Sequence, residues 1–400
     1  MKGPFSIWAF FGLTLWIDVL THAIYTEKNV RVNPYNPVKS VTVIIPIHKE
    51  EKYIEKTIKS IYEEGYPVKN IIVCGDYYSE KTKDVVVSLM EKYKNLCYLE
   101  SVHVSKARKI NYTVKRLGEI IGDFVYVRDA RVVGEKNSIG KMISYFNDEK
   151  VAAVTSYGRL SKPNNILSKA YFYGKSWINE IGRFRKNAQE KRSAVFVICG
   201  ASTIYRKSIL EKFHIPYRSK TEDTYYTWKL QSKGYKIRVA DDVTVSAPDV
   251  DGEKTEGIKG QLKQAYRWSC GTIQCLYLEG RGLLKNKKLA YTTVIPGLLE
   301  SVMYSIPLVL LPLLFFISPV FALAFLIGDT VFSLLGTLII IPKKFVKTVV
   351  HYPQIMFFKY ANSLVFLSAL FTITGQAITG KTGKWTNSWL PPKTEYSASR

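Results

Sequence analysis

The sequence predicts an α/β domain built on a mainly parallel sheet, with membrane helices before and after it. Two observations carry this prediction. Short β-branched runs alternate with stretches of helical periodicity over residues 39–250, as in strands joined by crossover helices. Outside that region, apolar residues form long runs near both ends of the 400-residue chain, as membrane helices require.

The predicted strands end next to polar and charged residues. Pro46 ends the first strand, because proline cannot donate to a sheet ladder. Parallel sheets bind ligands at the carboxyl ends of their strands, so residues 46–50, Asp76 and Asp129 are expected at one edge. The predicted elements are a strand at 41–45, a helix at 53–62, a strand at 70–73, a helix at 83–93, and strands at 96–99 and 124–127.

The first membrane segment is predicted at 5–25, within an N-terminal region of residues 1–30. Its length fits a transmembrane helix, and its sequence lacks an obvious small-residue cleavage site. Asp18 and His22 interrupt the apolar run. The alternative is therefore a helix that is buried in protein or lies in the membrane interface.

The second membrane region is predicted over 291–380 and is followed by a polar tail at 381–400. Residues 302–328 and 330–342 carry no charge and predict two spans that turn near Ser318.

A further span is predicted at 355–379. The basic residues at 343–347 are expected on the cytoplasmic side. Four spans with a cytoplasmic α/β domain would put both termini outside, whereas the basic tail favours the inside. We therefore expect the first or the last segment to lie in the interface. The overall prediction is an integral protein of the cell membrane.

The charge balance indicates an anionic partner. Lys and Arg number 57 against 33 Asp and Glu, a formal net charge of +24. Nucleic acid is not favoured, because the chain shows no helix-turn-helix, zinc or RNA-binding signature. Anionic membrane lipids and a nucleotide diphosphate fit better. The five cysteines form no C-x-x-C pair, which argues against a zinc site or a disulfide scaffold and favours a reducing compartment.

An acidic triplet and a later aromatic motif indicate chemistry on a phosphate-bearing and sugar-bearing ligand. In Thr221-Glu222-Asp223, Asp223 is a candidate general base. The same residues also fit a capped helix N-terminus, and both interpretations can hold together. The motif Gln264-Ala265-Tyr266-Arg267-Trp268 lies in residues 251–290, predicted as one or two amphipathic interface helices. Arginine can hold phosphate bidentately, and an indole ring can cover a sugar face.

The order of the motifs resembles a family 2 glycosyltransferase of the processive type, the group that contains cellulose, chitin and hyaluronan synthases. The resemblance covers roughly residues 41–268. It implies a GT-A domain with a Rossmann-like mixed sheet over 39–250, together with an α-helical transmembrane region. It also implies inverting sugar transfer from a UDP-sugar.

The resemblance implies roles for individual residues. Asp223 is expected to be the catalytic base, with Glu222 beside it able to raise its pKa. Asp76 is expected to accept the imide N–H of uracil. The residues expected to bind the donor nucleotide are Pro46, Glu50, Asp76, Lys106, Asp129, Arg131, Gln264 and Arg267. Those expected to bind the acceptor sugar are Cys199, Gly200 and Trp268. The competing interpretations are a turn aspartate at Asp76, a basic helix face around Lys106 and a structural turn at Gly200.

Three positions depart from the family pattern. Lys49 replaces an Asn, Gly75 replaces an acid, and Arg131 replaces the second acid of the metal-binding D-x-D motif. The resemblance implies Mg²⁺ or Mn²⁺ on the nucleotide diphosphate, with Asp129 as its ligand. Three alternatives follow for Arg131: Asp129 alone holds the cation, Arg131 itself pairs with the diphosphate, or the protein is catalytically impaired.

The sequence-based hypothesis is transfer of a sugar from a nucleotide-sugar donor to a growing polysaccharide. Transfer to a lipid acceptor is the first alternative, because the predicted membrane region is small for a polymer channel. A carbohydrate-binding relative without catalysis is the second, supported by Lys49, Gly75 and Arg131. A transporter is disfavoured, because the chain shows none of the internal repeats typical of transporters.

Overall fold

The computed structural model describes residues 13–25, 31–35, 37–160, 166–246 and 257–385. They form two compact units. The sheet unit comprises the described residues of 31–160 together with 197–246 and 383–385. The helical unit comprises 13–25, 166–196 and 257–382. The predicted α/β range 39–250 is thus interrupted by residues 166–196, which belong to the helical unit.

The sheet unit is built on a seven-stranded mixed sheet. Its strands are β1 (Val41–Pro46), β2 (Asn70–Gly75), β3 (Leu96–Glu100), β4 (Phe124–Arg128), β5 (Val151–Gly158), β6 (Ser202–Arg206) and β7 (Lys236–Val245). The strand order is β3-β2-β1-β4-β6-β5-β7. β6 runs antiparallel to both of its neighbours, whereas the remaining pairs are parallel. This mixed sheet confirms the expected GT-A class of fold.

The helices of both units follow the strands and loops in chain order. They are α1 (Leu13–Ile24), α2 (Ile54–Glu63), α3 (Glu80–Lys92), α4 (Lys106–Arg116), α5 (Ser138–Ile143), α6 (Ile166–Lys191), α7 (Lys207–Lys212), α8 (Glu222–Ser232), α9 (Ile258–Lys285), α10 (Lys287–Leu289), α11 (Ile295–Val309), α12 (Leu311–Ile317), α13 (Pro319–Ile340), α14 (Phe345–Val350) and α15 (Tyr352–Ile378). A π-helical turn, Ala290–Val294, joins α10 to α11.

The central strands form because their residues are β-branched and apolar. Val41 to Ile45 and Ile71 to Cys74 are fully buried, as expected for strands covered on both faces. The parallel register places Pro46 opposite Cys74, and Ile44 opposite Val127. Pro46 ends β1, and Asp76 and Asp129 directly follow β2 and β4, so the three residues lie at the same edge of the sheet, as predicted.

The helical unit contains a buried acid that explains the polar break in the first predicted membrane segment. Asp18 lies in α1, and its side chain is fully buried. It is paired with Arg185 at 2.9 Å and with Arg192 at 2.6 Å, two residues in and just after α6. The described helix has 12 residues, and the first part of the predicted 5–25 segment lies outside the described residues. Polar pairing rather than lipid exposure thus accommodates Asp18.

Three helical segments in the described residues are long and apolar enough to cross a membrane. They are Lys287–Val309, Pro319–Ile340 and Tyr352–Ile378. The predicted turn near Ser318 is present, since α13 begins directly after it. The first span was predicted to start near residue 302 but begins at Lys287, because the charge of Glu300 ended the uncharged run although the helix continues through this residue.

Candidate functional site

Asp129, which directly follows β4, contacts Lys106, the first residue of α4. The ammonium of Lys106 donates to Asp129 Oδ1, and also to the carbonyl oxygen of Gly200 at 2.6 Å. The backbone N–H of Asp129 donates to the carbonyl of Ala201 at 3.0 Å, which fixes the two loops to each other. One cluster at the edge of the sheet therefore contains Lys106, Asp129 and Gly200, which are far apart in the sequence.

The candidate base Asp223 lies against the same glycine. It is in the first turn of α8, and its Oδ1 accepts the N–H of Thr224 at 2.8 Å. A Cβ atom placed on Gly200 would lie 2.9 Å from Asp223 Oδ2. The turn at Gly200 thus brings Asp223 close to the Lys106–Asp129 pair, and a side chain at this position would collide with the base.

The ammonium of Lys106 lies among carboxylates. Burial by itself lowers the pKa of Lys106, but the nearby charges of Asp129, Glu222 and Asp223 outweigh burial and raise this pKa above its ordinary value. Lys106 therefore carries a full positive charge at neutral pH. The competing interpretation of Lys106 as part of a solvated basic helix face does not fit this environment.

Arg131 is paired with Glu50, the other acid predicted at this edge. Arg131 Nε donates to Glu50 Oε2 at 2.7 Å, and its guanidinium lies 4.4 Å from the centroid of the Tyr53 ring. Burial raises the pKa of Glu50 above its usual value, although the bond from Arg131 opposes the shift. The side chain of Arg131 is 54% exposed and that of Glu50 is 17% exposed, so Arg131 is the more accessible partner of the pair.

Asp76 is enclosed rather than open to a ligand. Its side chain is fully buried, and Oδ2 accepts from Lys109 at 2.6 Å and from His48 at 2.8 Å. Oδ1 accepts from Tyr78 N and Ser79 Oγ. Both oxygens are occupied, so direct acceptance of the uracil N–H does not fit this geometry. Asp76 instead positions His48, which is partly exposed at the same edge.

The sequence reasoning assigned no individual role to His48 or Lys109. His48 lies two residues after β1, a position at the strand end that could have drawn attention to it. Lys109 looked like one of several basic residues on a helix face, yet its side chain is 1% exposed. Its position three residues after Lys106 on the same helix gave no signal of burial.

Cys199 contributes its backbone to the turn before β6. Its N–H donates to Thr155 Oγ1 at 2.7 Å, and its carbonyl accepts from Thr203 Oγ1 at 2.7 Å. The thiol is partly buried. The structure therefore fixes the main chain that leads into Gly200, in keeping with the structural-turn interpretation.

The Gln264-Arg267-Trp268 motif lies on α9, in the helical unit. This helix is continuous over 28 residues. Gln264 Oε1 accepts from Lys175 Nζ at 3.3 Å, and the same ammonium lies 5.9 Å from the Trp268 ring centroid. The Trp268 side chain is 45% exposed. Lys175, on α6, is a further residue that sequence reasoning did not single out.

Asp129 has few of the features of a divalent-cation ligand. Arg131 occupies the second acidic position of the D-x-D motif, and Lys106 already contacts the remaining carboxylate. The described parts of the chain hold no group of three or more His, Cys, Asp or Glu residues suited to a metal ion. Hard cations prefer several oxygen ligands, commonly carboxylates. These side chains, as arranged, do not fit the two-carboxylate site that the family resemblance implied.

The mixed sheet, with a carboxylate at the start of α8 facing charged residues at the strand ends, defines a glycosyltransferase domain of the GT-A type. A family model described as "Glycosyltransferase like family 2" matches residues 37–271, and the chain belongs to this family.

Two curated relatives are synthases of a polysaccharide. Poly-beta-1,6-N-acetyl-D-glucosamine synthase of Staphylococcus aureus (strain COL) is 25% identical over 255 residues, covering 63% of this chain and 59% of the relative. The synthase of the same name from Staphylococcus epidermidis is 25% identical over 262 residues, covering 64% and 60%. The chain thus matches about three fifths of the length of these relatives.

A solved structure supports the fold. The mannosyltransferase PcManGT from Pyrobaculum calidifontis, in complex with GDP-Man and Mn²⁺, has a TM-score of 0.66 with this chain at 16% sequence identity. The match covers 90% of this chain and 96% of that one. The expected GT-A fold is confirmed, and the three apolar helices are those of an integral membrane protein.

Proposed function

We propose that the protein is a membrane-bound inverting glycosyltransferase that moves a sugar from a UDP-sugar to a growing polysaccharide. The observation that carries the proposal is the cluster of Lys106, Asp129, Gly200 and Asp223 at the carboxyl edge of the sheet. It places a candidate base beside charges able to hold a nucleotide diphosphate.

In this proposal the acceptor hydroxyl attacks the anomeric carbon of the donor sugar. Asp223 takes the hydroxyl proton, and the bond from the anomeric carbon to the diphosphate oxygen breaks with its electron pair going to UDP. Lys106 and Arg131 are the two cations of the sheet unit that we propose stabilise the departing diphosphate. By family resemblance, Arg267 and Gln264 contact the donor, Trp268 contacts the acceptor sugar, and Glu222 supports the base.

The nucleoside is proposed to bind at the end of β1 and β2. His48 is partly exposed there, and Tyr77 and Tyr78 are exposed aromatic residues in the turn after β2. Aromatic faces stack on nucleobases. Asp76 acts through His48 and Lys109 in this arrangement, and Pro46 shapes the strand end.

The choice of sugar and acceptor rests on the relatives. Two synthases of poly-β-1,6-N-acetyl-D-glucosamine support UDP-N-acetylglucosamine as the first donor to test and a polysaccharide as the acceptor. We place the sheet unit in the cytoplasm and the helical unit in the cell membrane, in contact with its lipids, because Lys343, Lys344 and Lys347 follow α13. A lipid acceptor is the second candidate, favoured by the small set of three spans in the described residues.

The alternative is that a Mg²⁺ or Mn²⁺ ion at Asp129, rather than Lys106 and Arg131, stabilises the charge of the diphosphate. The Mn²⁺ in the mannosyltransferase of similar fold supports this alternative. In this alternative the metal ion would share the Asp129 carboxylate with the ammonium of Lys106, which contacts Oδ1.

The test is nucleotide release by the purified, detergent-solubilised protein. It is offered UDP- and GDP-sugars with an acceptor panel of oligosaccharides and membrane lipids. We expect UDP release with one sugar, and a loss of about 1,000-fold or more in an Asp223→Asn variant, since a positioned base contributes about 10²–10⁴-fold. Asp84→Asn, an exposed acid on α3, is the matched control and should retain full activity.

Equal activity of wild type and Asp223→Asn would refute the role of Asp223. Release of GDP rather than UDP would refute the proposal that the donor is a UDP-sugar. Product found only on lipid would replace the polysaccharide acceptor by the second candidate.

A further inference from the structure

Arg131 and the Lys106–Asp129 pair together reproduce the charge of a metal-containing site. The family motif that the sequence resembles has two acids, which hold a divalent cation. Here Arg131 stands at the second acidic position. Exchange of one acid for one arginine changes the charge of the site by two positive units, which is the charge of one divalent cation. The substitution is therefore a complete electrostatic replacement rather than a loss.

We propose that Arg131 and Lys106 take the place of the divalent cation, so that the protein binds and turns over its nucleotide-sugar donor without Mg²⁺ or Mn²⁺. This inference rests on the proposed function. It assigns Arg131 the role of contacting the diphosphate, and Lys106 the role of a fixed cation between the diphosphate and Asp129.

The contacts of Lys106 match those of a bound cation. Its ammonium contacts a carboxylate oxygen of Asp129 and the carbonyl oxygen of Gly200, which are oxygen ligands of the kind a hard metal ion uses. An ammonium has three N–H donors, and these two contacts account for two of them. The remaining donor can be directed at a phosphate oxygen.

The contacts of Arg131 leave the two terminal nitrogens of its guanidinium available to bind phosphate oxygens. Glu50 accepts from Nε, and the Tyr53 ring supports the guanidinium plane. A guanidinium carries five N–H donors and binds phosphate oxygens bidentately. Glu50, largely buried, holds Nε of the guanidinium, while the side chain of Arg131 is half exposed.

This arrangement offers a divalent cation few free oxygen ligands. Asp129 is one carboxylate with an ammonium already in contact, and a guanidinium is anchored two residues along the chain. A metal ion at Asp129 would share that carboxylate with the ammonium of Lys106 and would find one carboxylate where the family motif offers two. Binding of the donor does not need to displace either Lys106 or Arg131.

The experiment measures metal binding and nucleotide binding separately from turnover. Electron paramagnetic resonance reports bound Mn²⁺ in the full-length solubilised protein, with and without UDP or GDP. Calorimetry gives the nucleotide affinity in EDTA and in Mn²⁺. We expect no nucleotide-dependent Mn²⁺ binding by the wild type, and nucleotide affinity and sugar turnover within about twofold in EDTA and in Mn²⁺.

Two variants test the role of Arg131. Arg131→Asp rebuilds the two-acid motif and should gain nucleotide-dependent Mn²⁺ binding, with nucleotide affinity that falls at least tenfold in EDTA. Arg131→Met should lose at least tenfold in nucleotide affinity under both conditions. Arg159→Met removes an exposed arginine paired with Glu135 and is the matched control, with unchanged affinity.

The outcomes separate this inference from the proposed function. Nucleotide-dependent Mn²⁺ binding by the wild type, or loss of its nucleotide affinity in EDTA, overturns the inference and leaves the transferase proposal intact. Nucleotide binding that is equal in EDTA and in Mn²⁺, without turnover of any sugar, supports metal-free binding of the nucleotide but overturns metal-free turnover and counts against the transferase proposal. Absence of nucleotide binding under every condition overturns both.

Discussion

The carboxylate of Asp223 lies against the α-carbon of Gly200, so close that a Cβ atom at Gly200 would be 2.9 Å from Oδ2 and 3.3 Å from Cβ of Asp223. The carbonyl of the same glycine accepts the ammonium of Lys106. Gly200 is thus the point at which the candidate base and the candidate phosphate-binding lysine meet, and its missing side chain sets their separation.

Gly200→Ala is expected to displace Asp223 and to lower kcat by about 100-fold, the cost of a misplacement of about 1 Å in a catalytic group. Nucleotide affinity should change little, because the carbonyl that contacts Lys106 is retained. The measurement is kcat for sugar transfer together with nucleotide affinity by calorimetry. Gly182→Ala, a glycine on α6 with open space around it, is the control. Wild-type kcat in Gly200→Ala would show that the contact with Asp223 does not matter for catalysis.

Asp76 is expected to make stability depend on acid pH. Burial opposes its charge, but the bonds from Lys109 and His48 prevail and lower the pKa of Asp76 below its ordinary value. The charged carboxylate therefore stabilises the fold fully above the unfolded pKa of about 3.9, and this stability is lost as the pH falls through the lower folded pKa. The midpoint temperature of unfolding should accordingly be steady above about pH 5 and fall steeply below about pH 4.

Asp76→Asn removes this dependence and leaves Lys109 buried without its counter-ion. We expect a loss of about 3–5 kcal/mol at pH 7, the usual effect of breaking a buried pair. Thermal unfolding across pH 3–8 measures both effects. Glu100→Gln breaks the exposed pair with Lys83 and should cost less than about 1 kcal/mol. A variant as stable as the wild type at pH 7 would contradict the importance of the Asp76 cluster.

Asp329 and Lys359 form an ion pair between α13 and α15, two helices able to span a membrane. Lys359 Nζ contacts Asp329 Oδ1 at 2.9 Å, and Tyr304 and Tyr352 donate to the same carboxylate. Lys359→Met is expected to destabilise the protein by about 3–5 kcal/mol, because it leaves a buried charge unpaired. The double variant with Asp329→Leu should recover most of this loss, since a buried pair often contributes little net stability over apolar residues.

The check on the Asp329–Lys359 pair is a double-mutant cycle on thermal unfolding in detergent. A coupling energy near zero would mean that the two charges do not depend on each other. Lys344→Met, which removes the partly exposed partner of Glu180, provides the comparison and should have a smaller effect.

Trp268 is expected to act on the acceptor rather than on the donor. Trp268→Ala should raise the KM for an oligosaccharide acceptor by about 10-fold or more. The reason is that stacking of a ring on an aromatic side chain contributes about 1–3 kcal/mol of binding free energy. The donor KM should remain within about twofold. Trp16→Ala replaces a tryptophan of similar exposure on α1 and serves as the control. An unchanged acceptor KM would refute the proposed contact.

The elements that the sequence predicted well are those with a strong local pattern. The strands at 41–45 and 124–127 were located to within a residue, because β-branched residues there are bounded by proline or by charge. The predicted helices at 53–62 and 83–93 correspond to α2 and α3, and the helix predicted within 251–290 corresponds to α9.

Pairings between distant residues were not predictable, because a local pattern does not encode them. Asp18 looked like an interruption of a membrane helix, and its partners Arg185 and Arg192 are far along the chain. Asp76 looked like a ligand for uracil, since nothing in the sequence indicated that Lys109 would turn inward to meet it.

The candidate site was predictable as a set of strand-end and helix-start positions but not in its internal contacts. The sequence placed Asp129, Arg131 and Glu50 near one edge, whereas the Glu50–Arg131 bond depends on the direction in which each loop leaves its strand. The roles of the site residues remain predictions that the variants above test.

Helix α6 has a consequence for the order in which this protein can be assembled. It leaves the sheet after β5, packs on α1 and α15, and precedes β6, which lies between β4 and β5. During synthesis, β6 therefore emerges only after α6, whereas α15 emerges after β7. Because α6 belongs to the helical unit and is joined to the sheet unit at both of its ends, no single cleavage of the chain can release the whole sheet without α6.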